Sequence, residues 1–465
     1  MTQLNNATDT FPDEIFKAYD IRGIVDSALT TTITRQIGQA FGSEALSRGV
    51  DSVIIARDGR LSGPSLSAAL SEGLLASGCD VIDIGMVPTP VLYFATYELA
   101  TGTGIMITGS HNPPEYNGLK MVMAGETLAG ERIQELKQRI LSGQVSSGAG
   151  RLSEIDIKPA YSQRVLSEGR LTREIHAVVD CGNGVASEIA ADLLTQLGCK
   201  VTPLFCQTDG SFPNHHPDPS QPENLNDLIN AMHETGADIG LAFDGDGDRL
   251  GVVTPDGKII WPDRQLILYA RDVLKTTPGA HIIYDVKCSR TVDDEIRRAG
   301  GKPEMWKTGH SFIKARLRET GAELAGEMSG HVFFNDHWYG FDDGLYTAVR
   351  LLHILAKDER NATEIFADLP DTINTPELGL KMAEGEHYKL VDELIENANF
   401  EDARINRIDG LRADFDYGFG LLRASNTTPT IVLRFEGNDE SALEKVKQQF
   451  RKLFNDTRPG LDLPF

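Results

Sequence analysis

Three carboxylates in one short segment are the sharpest chemical feature of the chain. In Asp244-Gly-Asp-Gly-Asp-Arg249 they stand at i, i+2 and i+4, separated by glycines that let the backbone curl. Such carboxylates can converge on one hard cation of the Mg²⁺ type. An EF-hand is excluded, because Arg249 stands where that loop needs glycine and Pro255 where it needs glutamate. The preceding apolar run favours a metal site at a strand end over a solvated loop, and Arg249 beside the cation suggests a site for an anion.

A second segment, ITGSHNPPEYNGLK, holds Ser110 between Gly109 and His111, closes its turn with two prolines and places Lys120 ten residues on. A serine in a turn usually bonds nearby backbone amides. A hydroxyl in this setting could also be a nucleophile. These residues alone leave both interpretations open.

Two further segments carry groups that suit a sugar phosphate. Gly326-Glu-Met-Ser-Gly-His331 offers a carboxylate, a hydroxyl and an imidazole for sugar hydroxyls, or it could cap a turn. Arg423-Ala-Ser-Asn-Thr-Thr-Pro429 matches a phosphate dianion, although the same residues also make ordinary turns. Single cations elsewhere could give the site a local positive field; they are Arg22, Lys287, Lys307 and His310.

Composition excludes several classes of protein. A chain of 465 residues is too long for one core and suggests three or four domains. The net charge of −23 opposes nucleic-acid binding, and no apolar run is long enough to span a membrane. The first residues resemble no secretory signal, so we expect a cytoplasmic protein. The five cysteines are odd in number and lack a C-x-x-C pair, which argues against a disulfide framework or a zinc site.

The elements that must position these segments form a threefold pattern. Residues 53–85, 177–205 and 281–309 each run from an apolar stretch through a turn and a helical stretch to a second apolar stretch. A short apolar run and a polar, glycine-rich loop follow each of these predicted β-α-β units. Because ligands sit at strand ends in open α/β sheets, we expect the three loops to share one cleft. The alternative is that the likeness reflects only the general pattern of α/β proteins.

After about residue 372 the pattern changes to a helix, alternating strands and a final helix, which indicates a smaller α+β domain. The predicted fold class is α/β, with three topologically related α/β domains plus a C-terminal α+β domain around a central cleft. We place the domains at residues 1–155, 156–258, 259–370 and 371–465.

The four segments, in this order and at these separations, resemble the signature loops of the α-D-phosphohexomutases. The likeness runs from about Phe11 to the C-terminus and includes Tyr19-Asp-Ile-Arg-Gly23 and Lys307-Thr-Gly-His310. It implies reversible interconversion of hexose 1-phosphate and hexose 6-phosphate, for mannose and glucose. The intermediate would be a hexose 1,6-bisphosphate, which also acts as the activator.

The resemblance also assigns roles to residues. Ser110 would be carried as phosphoserine, and Mg²⁺ would be bound by Asp244, Asp246, Asp248 and a phosphate oxygen on Ser110. Proton transfer would fall to Lys120 or His331, with Arg22 and His310 close by, and a lysine base would need its pKa lowered by adjacent cations. Substrate would be bound by Tyr19, Arg249, Lys287, Glu327, Ser329, His331, Arg423, Ser425, Asn426 and Thr427.

Three alternatives differ in activity. A phosphoglucosamine mutase of the same family usually has Gln or Lys where Met328 stands, which disfavours it. A metal-dependent phosphatase would use Asp244 or Asp246 as nucleophile and leave Ser110 without a role. A noncatalytic binding protein for a sugar phosphate or Ca²⁺ would bind without turnover. We expect a monomer whose partner is a phosphorylated hexose, with no nucleic acid and no membrane.

Overall fold

Four β-sheets organise the chain in the computed structural model, which describes residues 11–426 and 428–465. The first sheet and its helices comprise β1 (Ile21–Ile24), α1 (Thr31–Ser47), β2 (Ser52–Arg57), α2 (Gly63–Ser77), β3 (Asp80–Met86), α3 (Thr89–Glu98), β4 (Gly104–Ile107), β5 (Tyr116–Met123), β6 (Glu126–Thr127), α4 (Glu131–Ser142) and β7 (Leu152–Glu154). The strand order is β1-β5-β4-β2-β3-β7, with β6 paired to β5.

The second and third sheets follow along the chain. The second region comprises α5 (Lys158–Leu166), β8 (His176–Asp180), α6 (Ala190–Leu197), β9 (Lys200–Leu204), α7 (Asn226–Thr235), β10 (Ile239–Phe243), β11 (Leu250–Val253) and β12 (Ile259–Ile260). The third comprises α8 (Pro262–Thr276), β13 (His281–Asp285), α9 (Arg290–Arg298), β14 (Lys302–Trp306), α10 (His310–Thr320), β15 (Leu324–Gly326), β16 (Val332–Phe334), α11 (Gly344–Lys357) and α12 (Ala362–Ala367).

The fourth sheet belongs to the C-terminal region and differs in kind. Its elements are β17 (Ile373–Asn374), β18 (Leu378–Lys381), α13 (Glu386–Asn397), β19 (Ala403–Asn406), β20 (Leu411–Phe415), β21 (Gly418–Ala424), β22 (Thr430–Gly437) and α14 (Glu440–Thr457). All strand pairs in it are antiparallel. This region is the predicted α+β domain.

The first three sheets repeat one pairing scheme. In the first, β2 is parallel to β3 on one side and to β4 on the other, and β4 is antiparallel to β5. The second repeats it with β8, β9, β10 and β11, and the third with β13, β14, β15 and β16. The likeness therefore exceeds the general pattern of α/β proteins, and the predicted fold class is confirmed.

The sequence accounts for this repeat locally. Each central strand is a short apolar run buried on both faces, as parallel strands between helix layers must be. The connecting helices α2 and α6 end at Gly78 and Gly198, and Gly300 follows the end of α9; all three have positive φ, from 84° to 114°. Glycine adopts this conformation without steric cost and turns the chain back towards the sheet.

One predicted domain boundary cuts through a sheet. Strand β12 pairs with β11, with Val252 opposite Ile260, so the second sheet extends two residues past the predicted end at 258. The other predicted boundaries fall between sheets and stay predictions.

The described residues form several apolar cores, one of which spans the first three regions. The largest apolar core is continuous through the first three regions, joining Val91 of α3, Val179 of β8 and Ile282 of β13. The C-terminal region has its own core, built around Leu390, Phe435 and Phe450. Within the described part of the chain no helix is both long and apolar enough to cross a membrane.

Buried arginines connect the C-terminal sheet to the loop after β13. Nη1 of Arg412 donates to the carbonyl oxygens of Val286 and Cys288, each at 2.7 Å, and Nη1 of Arg434 donates to that of Lys287. Arg434 also pairs with Asp263 at the start of α8. The backbone that carries Lys287 is thus held by the C-terminal sheet.

An aromatic cluster joins the first region to the third, and its centre is Trp338. The indole stacks on Tyr346 with ring centroids 4.2 Å apart, and it contacts Phe94 of α3 and Tyr161 of α5. We predict that Trp338→Ala costs about 3–5 kcal/mol of stability, because a large buried ring is lost. The midpoint of thermal unfolding measures this.

Trp306→Ala is the matched control, because this indole lies at the C-terminal end of the edge strand β14 and is partly exposed. It should lower the unfolding midpoint much less. A midpoint for Trp338→Ala as high as that of the control would contradict the role of the cluster.

Candidate active site

Equivalent strands of the three repeats deliver three loops to one place. β4, β10 and β15 hold the same position in their sheets, and they release the loops that begin at Thr108, Asp244 and Glu327. The loops line one cleft of about 560 Å³. Of the predicted site residues, the cleft lining contains Tyr19, Arg22, Ser110, Lys120, Arg249, Lys287, His310, Glu327, Ser329, His331, Arg423, Ser425 and Asn426. Thr427 lies outside the described residues.

Ser110 is held in a restricted conformation facing the carboxylate loop. Its φ is +49°, in the left-handed region that non-glycine residues seldom occupy, and only 4% of its surface is exposed. Its Oγ lies 3.3 Å from Oδ2 of Asp244 and 3.2 Å from Nδ1 of His111. A Cβ on Gly245 would lie 2.3 Å from the carbonyl oxygen of Ser110, so only glycine permits this approach.

Asp244, Asp246 and Asp248 have no exposed surface and bring their oxygens within 4.8 Å of one another. Oδ1 of Asp246 and Oδ1 of Asp248 are buried without a hydrogen-bond partner among the described residues. Unpaired carboxylate oxygens in this arrangement are suitable ligands for a hard divalent cation. The residues therefore fit a metal ion of the Mg²⁺ type.

Lys120 contacts two of these carboxylates. Its Nζ lies 2.7 Å from Oδ2 of Asp246 and 2.6 Å from Oδ2 of Asp248. Burial alone would lower the pKa of Lys120, but the two carboxylates outweigh it and hold the pKa well above its usual value. The expectation that adjacent cations lower this pKa is wrong, because the nearest charged neighbours are anions.

The pKa values of His331 and His310, two of the histidines that line the cleft, shift in opposite directions. Nδ1 of His331 lies 3.0 Å from Oδ2 of Asp342 and 3.7 Å from Oδ1 of Asp248. Although burial lowers the pKa of His331, these carboxylates outweigh burial and raise it. His310 is buried beside the ammonium of Lys314, and both effects hold the pKa of His310 well below its usual value. His331 can therefore accept a proton more readily than His310.

Arg249 lines the cleft and is bonded to the protein through Nε and Nη1. Its Nε lies 3.0 Å from Oδ2 of Asp244, and its Nη1 lies 3.2 Å from both Oδ1 of Asp218 and the carbonyl oxygen of Ser329. An isolated β-bridge also pairs Arg249 with His331. Arg249 thus joins the carboxylate loop to the loop of Glu327, and only its buried Nη2 lacks a partner among the described residues.

Glu327 lies at the inner wall of the cleft with 2% of its surface exposed. Its carboxylate accepts a hydrogen bond from the backbone N–H of Gly309. Burial is the largest effect on the pKa of Glu327 and raises it. The carboxyl group faces the cavity, where it can exchange hydrogen bonds with a sugar hydroxyl.

The C-terminal side of the cleft carries two buried cations. Nζ of Lys287 lies 3.0 Å from Glu377, and Nε of Arg423 lies 3.0 Å from Asp409. Nη2 of Arg423 is buried with no hydrogen-bond partner in the described part of the chain. A guanidinium that faces a cleft with free donors is suited to a phosphate group.

Residues near the N-terminus connect this side with the rest of the cleft. The Tyr19 hydroxyl donates to the carbonyl oxygen of Thr308 at 3.1 Å and accepts from the side chain of Asn426. Arg22 donates to Asp20 and to Asn112 in the loop of Ser110. All four regions therefore contribute to one site.

Models of known protein families match all four regions of the chain. Models described as phosphoglucomutase/phosphomannomutase match in chain order: α/β/α domain I at residues 13–146, domain II at 159–257, domain III at 261–373 and the C-terminal domain at 377–453. The chain belongs to the phosphoglucomutase/phosphomannomutase family. Its resemblance to the α-D-phosphohexomutases is thereby confirmed.

Individual members of the family are similar over nearly their full length. A phosphomannomutase/phosphoglucomutase of Pseudomonas aeruginosa is 52% identical over 456 residues, 98% of each chain. A phosphoglucomutase of Neisseria gonorrhoeae is 51% identical and covers 97% of this chain and 98% of its own. A solved structure of a phosphoglucomutase/phosphomannomutase family protein from Burkholderia thailandensis superposes with a TM-score of 0.93 at 52% identity, covering 97% of this chain and 99% of that one.

This family member is therefore a phosphohexomutase, an isomerase. The phosphatase and the noncatalytic binding protein that the sequence left open gain no support from these relatives.

Sequence reasoning missed several residues that hold the site together. Thr89 donates to Oδ2 of Asp246 at 2.6 Å, Asp218 pairs with Arg249, and Asp342 pairs with His331. Asp342 and Asp218 carried only a weak signal, since each lies in a segment rich in turn residues but outside the four predicted loops of the site. Thr89 carried none, because a threonine at the start of a helix is usually only a cap.

We predict that this family member gains thermal stability on binding Mg²⁺ and that Asp246→Asn abolishes the gain. The substitution removes one of three converging carboxylates and also the charge that Lys120 contacts. Isothermal titration calorimetry and unfolding midpoints with and without Mg²⁺ measure the effect.

Asp336→Asn is the matched control, because the Asp336 side chain is also largely buried, at 3% exposed, but pairs with Arg350 away from the cleft. It should keep the response to Mg²⁺. An Asp246→Asn protein that binds Mg²⁺ as tightly as the parent would contradict the metal site.

Proposed function

We propose that this phosphohexomutase interconverts the 1-phosphates and 6-phosphates of both mannose and glucose through a phosphoserine at Ser110. The observation that carries the proposal is the buried Oγ of Ser110, 3.3 Å from Oδ2 of Asp244, in the same cleft as Lys287 and Arg423. A hydroxyl group next to a carboxylate that can bind a metal ion is well placed to carry a phosphoryl group. Cations farther along the cleft can bind the phosphate that stays on the sugar.

Asp244, Asp246 and Asp248 would hold Mg²⁺ together with an oxygen of the phosphorylated Ser110. The cation would offset negative charge on the phosphoryl group as it leaves the serine. Nε of Arg249 contacts Oδ2 of Asp244, the same oxygen that Ser110 approaches, and so helps to hold this carboxylate in position. The carboxylates and the cations around them are already oriented, and little reorganisation is needed during transfer.

His331 is the proposed proton acceptor for the attacking sugar hydroxyl. Asp342 lies 3.0 Å from its ring and would stabilise the imidazolium that forms. Lys120 stays a protonated ammonium group between Asp246 and Asp248. Its proposed role is the opposite of that of His331, because it would donate a proton and place a positive charge near the phosphoryl group. Arg22 and His310 lie beside them, and the raised pKa of His331 is what favours it over His310.

The reaction would run in two phosphoryl transfers. In the first, the phosphoserine phosphorus is attacked by one sugar hydroxyl, the bond to Ser110 breaks and a hexose 1,6-bisphosphate forms. The bisphosphate turns around in the cleft, and its other phosphoryl group returns to Ser110. Added 1,6-bisphosphate would activate the enzyme because it phosphorylates any Ser110 that has lost its group.

One phosphate pocket must accept both ends of this intermediate. The proposed pocket consists of Lys287, Arg423, Ser425, Asn426 and Thr427, of which the first four line the cleft. Contacts from Glu327 and Ser329 to O3 and O4 of the sugar would leave C2 uncontacted. Mannose and glucose differ at C2, so the same contacts would admit both.

We predict that the purified protein carries one phosphoryl group on Ser110 and that Ser110→Ala lacks it and loses nearly all mutase activity. Intact mass, peptide mapping and a coupled assay of mannose 1-phosphate with Mg²⁺ and a trace of bisphosphate measure both effects. Ser167→Ala is the control, since Ser167 is exposed and outside the cleft. Full activity in Ser110→Ala, with no other residue phosphorylated, would exclude the mechanism.

We predict that Arg423→Gln raises KM for hexose phosphate about tenfold or more, because a charge-assisted bond to phosphate is worth about 1.5–3 kcal/mol. The change in kcat should be smaller, since the group binds the phosphate that is not transferred. Arg404→Gln on β19 is the control, because Arg404 is exposed and outside the cleft. A wild-type KM in Arg423→Gln would contradict the phosphate pocket.

A further inference from the structure

Arg60 is among the most completely buried charged side chains of the structure, with 1% of its surface exposed. Its guanidinium lies within the loop that carries Ser110. Nη2 donates to the carbonyl oxygens of Ser110 at 2.8 Å and Asn112 at 2.6 Å, and Nη1 to those of Pro113 at 2.6 Å and Tyr116 at 2.9 Å. One side chain thus satisfies four carbonyl oxygens of one loop.

Asp58 completes the arrangement from the end of β2. Its Oδ2 lies 3.2 Å from Nε of Arg60 and accepts from the Thr108 hydroxyl at 2.8 Å and from the Gly109 N–H at 3.3 Å. The Thr108 hydroxyl in turn accepts from the backbone N–H of Ser110 at 2.8 Å. The backbone on both sides of Ser110 is therefore bonded to the Asp58–Arg60 pair.

A loop of the second region covers the guanidinium from the other side. The Phe212 ring centroid lies 5.2 Å from Cζ of Arg60, and a Cβ on Gly210 would lie 2.7 Å from Cα of Arg60. A Cβ on Gly109 would lie 2.5 Å from Cζ of Arg60, so the serine loop touches the guanidinium directly. The packing leaves the guanidinium little room to take another position.

These contacts explain how Ser110 keeps a positive φ. A left-handed conformation costs a non-glycine residue free energy and persists only where the surroundings enforce it. Four carbonyl oxygens that converge on a planar fork with fixed geometry supply that enforcement. The same conformation places Oγ of Ser110 beside Asp244.

We propose that Arg60 is a positioning residue, which fixes the conformation of the Ser110 loop so that the phosphoserine faces the metal carboxylates. Arg60 acts through the backbone and contacts neither the hydroxyl of Ser110 nor the sugar. The inference rests on the proposed function of Ser110 as phosphoryl carrier. The proposed role requires the planar fork of N–H donors of the guanidinium and not only its positive charge. This requirement distinguishes Arg60 from a buried counter-ion.

The test is Arg60→Lys in the full-length enzyme, which keeps the charge and loses the planar fork. We expect kcat to fall on the order of a hundredfold, as for a small misplacement of a reacting group, while KM changes by no more than about twofold. The rate at which added hexose 1,6-bisphosphate phosphorylates Ser110, followed by intact mass, should fall by a similar factor. Both are measured below the unfolding midpoint.

Arg350→Lys is the matched control for loss of a buried guanidinium. Arg350 is buried, pairs with Asp336 and Asp272, and lies over Phe334 away from the cleft. Its substitution should lower the unfolding midpoint and leave kcat within about twofold of the parent. A kcat for Arg60→Lys that falls no further than that of Arg350→Lys would overturn the proposal.

Gly109→Ala is the second variant, for the case in which Arg60→Lys does not fold. The added methyl group meets the guanidinium, so kcat should fall while Arg60 itself is retained. A wild-type kcat in Gly109→Ala would overturn the proposal. The proposed function has a separate test. A parent enzyme that carries no phosphate on Ser110 would refute the phosphoserine mechanism, and the proposed role of Arg60 would fail with it.

Discussion

Three carboxylates without exposed surface lie behind the cleft-lining residues Ser110, Lys120 and Arg249, and their burial constrains the structure around them. Asp244, Asp246 and Asp248 belong to one loop of five residues, where unpaired negative charge would be costly. The compensating groups are Lys120 from β5, Arg249 at the end of the loop and Thr89 at the start of α3. Two of these three lie in the first region, so the carboxylate loop is satisfied only when the first two regions are packed together.

This dependence explains why the first three regions share one apolar core. Strand ends can aim loops at a common point only if the sheets behind them hold fixed positions, and continuous packing provides that rigidity. The C-terminal region has a separate core and meets the third region through arginines such as Arg412 and Arg434. The cations proposed for the untransferred phosphate, Lys287 and Arg423, lie at this boundary and line the cleft.

Local sequence patterns were sufficient for much of the architecture. The three β-α-β units and the loops after them could be predicted because strand burial, helix length and glycine at helix ends are encoded within about thirty residues. The pairing of β12 with β11, which carries the second sheet past residue 258, could not be predicted, because a two-residue strand shows no pattern. Asp244, Asp246 and Asp248 stood out because three carboxylates alternate with glycines after an apolar run. Serine is common in turns, so Ser110 was singled out only by the resemblance of its loop to a family signature.

Contacts between segments far apart in the chain could not be predicted in the same way. Three pairs of residues come into contact only after the sheets have formed: Arg60 with Ser110, Lys120 with Asp246, and His331 with Asp342. The raised pKa values of Lys120 and His331 follow from these contacts, because neighbouring carboxylates outweigh burial at both residues. The sequence by itself determined which groups are available and which strand ends release them, since both depend on local pattern. Only the tertiary structure decided which charges face one another, because Coulomb interactions depend on distances that sequence separation does not encode.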